Sequence, residues 1–458
     1  MHNLDVGTLC RIQFAMTAAF HFLFPPITIG LSWLLVLVEW RAWRQKDPIA
    51  ETAAQFFAKL LALTFAVGVA SGVPMEFQFG TNWSSYSKFV GDIFGAPLAA
   101  EGVFAFFLES GFLGLYIFGR HRVARKWLFL AICMVAFGAT ISAFWILVAN
   151  SWMQTPAGFV IHDGRAELTS FSAAVFNDSM WPRFFHTMFA GFVTGAFYMA
   201  GVSAALLLKN RANPIARYTL KLAIVIGLIV SVMEVFPFGH LHARQVARTQ
   251  PEKFAAIEGL YSSQSKAPLV MFAIPFSAPP TLKAKAEVPG LLSWMAFGDI
   301  DAKIKGINDF PADDIPPLWL TFVSFHNMVV LGMYFIFVMS WAALKMSRGI
   351  LFDSTKFLRL LVISIPLPLA ACELGWMAAE VGRQPWAVYH LIRTADAFSS
   401  NLSPAMVLSS IIMFAIIYII LGSLYIFLMV QKIHHGPDGN EIAAGPSDPS
   451  PVAAEVHS

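Results

Sequence analysis

An all-α polytopic membrane protein with about nine transmembrane helices is the fold class that the sequence predicts, and three observations carry it. Of 458 residues, 57% are hydrophobic and only 13% charged. A soluble domain carries roughly 25% charge, so this chain has too little polar surface to face water on all sides. Mean hydropathy is +0.63. Nine apolar runs approach the ~20 residues that a helix needs to cross a bilayer core: 15–40, 54–73, 94–118, 127–150, 184–208, 219–238, 316–343, 358–380 and 404–431. Many of the 43 Phe and 13 Trp fall near the ends of these runs, where interfacial belts form.

Orientation follows from the Lys and Arg of the short connections. One side receives Arg41, Arg44, Lys46, Arg120, Arg122, Arg125, Lys126, Lys209, Arg211, Arg217, Lys221, Lys345, Arg348, Lys356, Arg359 and Lys432. The other receives only Arg11, Lys88, Arg165, Arg183, Arg383 and Arg393. The first side is the cytoplasmic one, which puts the N-terminus outside and the C-terminus inside. Asp5 precedes the first run and no small-residue cleavage site follows it, so that run is expected to be a retained span rather than a signal peptide.

The chain then divides into helices one to six (1–238), a long extracytoplasmic segment (239–315), helices seven to nine (316–435) and a small, polar, Pro-bearing tail (436–458) that reads as disordered. The segment 239–315 is too long for a simple turn, and such loops are usually functional or disordered. Cys10, Cys133 and Cys372 are scattered, with no spacing for covalent heme attachment or a zinc ribbon. A net charge of +3 gives no reason to expect nucleic acid.

Ionisable residues inside spans are costly and therefore functional candidates. They are His21, Glu101, Glu109, His186, Glu234, His326, Glu373 and Glu380, and Met328 joins them as a thioether. The orientation places His21, His186, Glu373 and Glu380 near the outer face, with Glu101 about two turns deeper and Met328 roughly 18 Å into its span. Potential metal ligands thus gather towards the leaflet that carries the long loop. His and Met are axial heme ligands. Beyond His186, the small residues Ala190, Gly191, Thr194 and Gly195 suit either a flat macrocycle or a close helix contact. His21 alone also fits an interfacial histidine, and Met328 alone fits a space-filling role. Glu101 and Glu109, eight residues apart, lie two turns apart on roughly one side of a helix. They suit proton relay, or else a hydrogen-bonded structural pair.

These residues lie in longer strings: RIQFAMTAAFHFLFPPITIG (11–30), MEFQFGTNWSSYSKFVGDIFGAPLAAEGVFAFFLES (75–110), WILVANSWMQTP (145–156), FFHTMFAGFVTGA (184–196), QPEKFAAIE (250–258) and ELGWMAAEVGRQPW (373–386). Together they resemble subunit I of the cytochrome bd family of quinol oxidases, over nearly the whole chain except the distal loop and the tail. GRQPW with FQFGTNW is the most specific part.

The resemblance implies three hemes: a low-spin heme b and a high-spin pair, a heme b with a heme d or a further heme b. It implies His186 and Met328 as axial ligands of the low-spin heme, and His21 and Glu380 as ligands of the high-spin pair. Arg383 would balance propionates or Glu380, and Trp376, one turn before Glu380, would pack between hemes. Glu101 would lie beside the oxygen-binding heme, with Glu109 continuing the carboxylate line. Lys253 and Glu258 match the quinol-oxidising loop. The stretch FPFGHLHARQVAR (236–248) departs from the pattern, with His240 and His242 where an acidic turn is expected. The loop is also short, as in the sometimes cyanide-insensitive branch.

The implied function is electrogenic quinol:O2 oxidoreduction in the bacterial cytoplasmic (inner) membrane, with quinol oxidised at the outer face, O2 reduced to water and no pump required. The implied partners are a second membrane subunit (subunit II), sometimes a small single-span subunit, and membrane lipid. Two other readings remain at this point. A proton-coupled secondary transporter would show internal repeats around a midplane site, and none is visible. A diheme membrane quinone reductase would lack an oxygen site.

Overall fold

The computed structural model describes residues 5–437 apart from positions 121, 278 and 279. The tail expected to be disordered lies, from residue 438 on, outside the described residues. Among the described residues, nine helices are long and apolar enough to cross a membrane: Val6–Arg44, Pro48–Thr81, Ser84–Phe118, Arg125–Gln154, Met180–Lys209, Pro214–Thr249, Leu318–Ser347, Thr355–Val381 and Pro404–His435. They are called spans one to nine below.

Local chemistry sets their ends. Asp5 accepts from the Thr8 amide at the start of the first span. Asp47 accepts from the amides of Ile49 and Ala50 just before Pro48 opens the second. Ser403 accepts from the Met406 amide before Pro404 opens the ninth. A side-chain oxygen at the N-cap satisfies amides that have no helical partner, and proline at the first position loses nothing. Span one is bent where Val6–Phe22 gives way to Pro25–Arg44, because Pro25 and Pro26 lack the amides that would continue the ladder.

Successive spans run in opposite directions. At one end the basic connections meet one another: Arg120 pairs with Glu39 at 3.0 Å, Lys209 Nζ donates to the His434 carbonyl and Arg211 to the Phe352 carbonyl. At the other end the Ser84 amide donates to Ser399 Oγ, the Tyr389 amide to the Met153 carbonyl, and Arg393 pairs with Asp314.

The fifth span is the axis of the bundle. Of its most apolar stretch 83% is buried inside the protein, against 6% for the ninth and 17% for the third. It packs on the second half of span one through glycines. A Cβ on Gly30 would run into the Gly191 carbonyl oxygen, and one on Gly195 into the Gly30 carbonyl carbon. The small residues after His186 therefore form a helix contact. The flat-macrocycle alternative for that face is overturned, because the Gly30 backbone already fills it.

Two further positions differ from the sequence expectation. Span one begins at Val6, not near residue 15, so His21 lies fifteen residues in, about 22 Å along the axis. It is well inside the bundle rather than at its edge. Span six continues to Thr249, past the point where sequence placed the start of the long loop, because a π-helical turn over Glu234–Gly239 carries the helix onward.

The described residues of the connection from 250 to 317 form two helices and a hairpin. Helix Pro251–Glu258 and helix Leu291–Phe297 pack with the end of span six around Val246, Phe254, Ile257, Leu260, Leu292 and Ile304. Its apolar residues are interspersed with charges, so no run betrays them. Leu269–Ser277 and Pro280–Val288 pair as an antiparallel hairpin. His326, a candidate ligand by sequence, has Nδ1 3.0 Å from the Phe322 carbonyl oxygen and Nε2 2.9 Å from that of Val270. It ties span seven to this hairpin.

A testable consequence concerns the glycine seam. Gly195→Leu is expected to cost at least about 3 kcal/mol, the upper end of overpacking penalties, read as a fall in the unfolding temperature of the detergent-solubilised protein. Gly111→Ala, where no atom lies within 4 Å of the added methyl, should leave that temperature unchanged or slightly raised.

Candidate functional site

Polar side chains converge at the loop-bearing end of the bundle, where spans four, five, six and eight meet. Glu380 sits in the last turn of span eight. Its Oε1 accepts from Asn150 Nδ2 at 3.0 Å and Gln154 Nε2 at 3.2 Å, and its Oε2 from the Arg383 guanidinium. Asn150 and Gln154 are four residues apart near the end of span four, hence on one face. That spacing is the signal by which sequence could have found them.

Lys253 joins the same network from the loop. Its Nζ donates to Gln154 Oε1 at 3.1 Å, to Gln250 Oε1 at 3.4 Å and to the Ala379 carbonyl at 2.9 Å. Gln154 thus bridges the QPEKFAAIE segment to Glu380. Burial, reinforced by the charges of Arg183 and Arg383, holds the Lys253 ammonium well below its ordinary pKa.

Glu258 does not share this face. Five residues after Lys253, it lies about 140° further round the helix, which Gly259 ends in the left-handed region at φ 65°. Glu258 is buried and its Oε2 has no hydrogen-bond partner among the described residues. Burial pushes its carboxyl up to about 8.

Two buried arginines also stand at this end. Arg383 Nε and Nη1, and Arg183 Nε and Nη2, have no hydrogen-bond partner among the described residues. Burying a charged donor without an acceptor is expensive, so this pair of forks suits an anion. Arg183 was counted in the sequence only as an external charge.

Deeper, His21 Nδ1 lies 3.1 Å from Ser71 Oγ, and a Cβ on Gly72 would come within 3.0 Å of the imidazole. Phe22 meets Trp376 edge-to-face at 5.2 Å, which links the His21 region to the helix of Glu380. Met328 lies ten residues into span seven, about 15 Å along it. Its sulfur packs where Gly375 lacks a side chain, 3.0 Å from where a Cβ would stand. His186, six residues into span five, has Nδ1 2.9 Å from Glu234 Oε1 of span six. Glu373 Oε1 is buried without a partner among the described residues.

Glu101 and Glu109 both face span four. Ser142 Oγ donates to Glu101 Oε1 at 2.7 Å, and a Cβ on Gly138 would lie 3.1 Å from that of Glu109. In an unbroken α-helix, residues eight apart differ by about 80° around the axis. Glu101–Phe106 is a π turn, which absorbs one residue and brings the two carboxylates to within about 20°.

Among the described residues, no three His, Cys, Asp or Glu side chains gather closely enough to hold a bare metal ion. Single donors on separate helices suit a macrocycle that brings four nitrogens of its own and needs one or two axial ligands. The unpartnered arginine forks suit its propionates. The residues present therefore fit heme.

The family model described as cytochrome bd terminal oxidase subunit I matches residues 9–437. The chain is 40% identical to a cytochrome bd ubiquinol oxidase subunit 1 of Bacillus subtilis strain 168, over 98% of both chains. It is 35% identical to a cytochrome bd-II ubiquinol oxidase subunit 1 of Escherichia coli strain K12, covering 94% of this chain and 97% of that one. The solved bd oxidase from Geobacillus thermodenitrificans superposes with a TM-score of 0.88 at 30% identity, over 95% of this chain and 100% of that one. Neither a secondary transporter nor a diheme quinone reductase finds support in these likenesses. With nine membrane-spanning helices among its described residues and these relatives, the chain belongs to the cytochrome bd terminal oxidase subunit I family.

Proposed function

We infer that the chain is the heme-bearing subunit of a terminal oxidase that takes electrons from quinol and delivers them to O2. The observation that carries this reading is the chain of contacts from Lys253 through Gln154 to Glu380. It couples the loop expected to dock quinol directly to a residue expected to hold a heme.

His186 and Met328 are the proposed axial ligands of a low-spin heme b. His21 and Glu380 are the proposed ligands of the high-spin pair, heme b with heme d or a further heme b. Arg383 and Arg183 would hold propionates, and Trp376 would pack between macrocycles. Heme held by these residues would supply one-electron transfer and a site for O2.

The residues of the chain handle the protons. Glu258, with a carboxyl poised at about 8, is the base for the quinol hydroxyl, and Lys253, the other residue of the loop expected at quinol, anchors that loop to Gln154. A base whose pKa lies near the working pH combines the right protonation state with driving force. Glu109 and Glu101, lined up against span four, carry protons inward from the opposite end towards the oxygen site. With the N-terminus outside, quinol protons are released outside while those for water enter from the cytoplasm. Charge is then separated across the bilayer of the bacterial cytoplasmic membrane without a pump.

Family members work with a subunit II. The exposed apolar faces of spans three and nine, including Phe104, Phe107, Ile419 and Phe427, offer room for it, for a small single-span subunit and for lipid.

Two outcomes test this reading. His186→Ala should abolish the low-spin signal in reduced-minus-oxidised spectra of the purified complex and lower its hemochrome content by one heme b, leaving the high-spin bands. Glu258→Gln should lower quinol-dependent O2 uptake by roughly 10²-fold, at the low end for a general base. The wild-type kcat/KM should rise with pH as Glu258 deprotonates through about 8, and the variant should lack that limb. A profile in the variant that still rises there rules Glu258 out as the base.

A further inference from the structure

The sixth span contains the second π turn of the bundle, Glu234–Gly239, and it brings two side chains to one imidazole. Glu234 Oε1 lies 2.9 Å from His186 Nδ1, an ion-pair contact in which the ring nitrogen is not aligned for a hydrogen bond. The His242 ring stands 5.2 Å from that of His186, centroid to centroid. Glu234 and His242 are eight residues apart. As with Glu101 and Glu109, one residue absorbed by the π turn reduces their angular separation from about 80° to about 20°. Pro237, inside the turn, has no amide to give an α-helical ladder. Gly239 lies against the same ring, where a Cβ would be 3.8 Å from His186 Cε1.

The local backbone is thus reshaped around His186, and a carboxylate is its nearest polar neighbour. The other oxygen, Glu234 Oε2, is buried without a hydrogen-bond partner among the described residues. As a device for stability this is poor, since a buried pair with an unsatisfied oxygen scarcely offsets its desolvation. It makes sense as a device that acts on the imidazole. A histidine bound to metal through one nitrogen usually gives its other N–H to a carboxylate or carbonyl, which fixes the tautomer and strengthens the donor.

We propose that Glu234 is a positioning residue for His186, setting a negative charge against its Nδ1 and lowering the midpoint potential of the low-spin heme that His186 would hold. The proposal rests on the reading of His186 as an axial ligand. The sign follows from charge. Oxidised heme iron carries one more positive charge than reduced, so a carboxylate behind its ligand favours the oxidised form. The His242 ring, on the same face, packs tilted against that of His186.

The test is a spectroelectrochemical titration of the purified oxidase complex. Glu234→Gln keeps the size of the side chain and an accepting oxygen but removes the charge. The low-spin heme should become easier to reduce by roughly tenfold in its equilibrium constant, about 59 mV for one electron, while the high-spin midpoints stay in place. Glu234→Asp, which keeps the charge, should fall within twofold of the wild type. A Glu234→Gln midpoint equal to that of the wild type, with the low-spin spectrum intact, overturns the proposal. If Glu234→Gln fails to assemble, Glu234→Ala decides: a midpoint raised about tenfold or more supports the role, and a wild-type midpoint with the low-spin spectrum intact overturns it. His186→Ala separates the two levels, because a low-spin signal surviving that variant defeats the ligand assignment itself, whatever Glu234 does.

Discussion

Polar groups placed in hydrocarbon have no water to turn to, and each must find its partner within the protein or in what the protein binds. The backbone meets this constraint by forming helices. The side chains cannot meet it so uniformly. Glu380 is surrounded by Asn150, Gln154 and Arg383, and Lys253 is drawn in from the loop to share Gln154. Arg183 and Arg383 keep donors without a partner among the described residues. The site is therefore assembled where polar groups could be afforded company, at the end of the bundle covered by the loop.

The glycine seam between spans one and five sets the geometry on which that site stands. Gly30, Gly191 and Gly195 let two backbones approach until no side chain fits between them, as small residues do in membrane interfaces. The contact holds the half of span one that follows His21 against the half of span five that follows His186. The distance between two candidate ligands is thus governed by residues that touch neither. The bend at Pro25 directs span one from this seam towards the His21 region.

The two π turns play a related part. Each begins with a glutamate, Glu101 and Glu234, and each rotates the helix beyond it so that residues eight apart share a face. Such turns interrupt the regular α-helical hydrogen bonding and are frequent at functional sites. Here one aligns Glu101 with Glu109 along span four, and the other aligns Glu234 with His242 around His186. A uniform helix would have splayed both pairs.

The nine spans were legible in the sequence because lipid demands long apolar runs, and composition along the chain records that demand directly. The candidate donors His21, His186 and Glu380 were legible for the same reason, since polar groups stand out in such runs, whereas Met328, one of 19 methionines, was marked only by the resemblance. Their partners were not. Ser71, Gln154, Asn150 and Glu234 come from other helices, and which helices adjoin is decided by packing. The depth of His21 escaped because polar residues extend span one beyond its apolar stretch. The helix past residue 238 escaped because a π turn at a proline carries the backbone through what reads as a break. The core of the loop escaped because it comes from residues scattered among charges. Apolar periodicity and length are properties of a segment, and the sequence by itself determined them. The company each polar group keeps is a property of the assembled bundle, which only the tertiary structure decided.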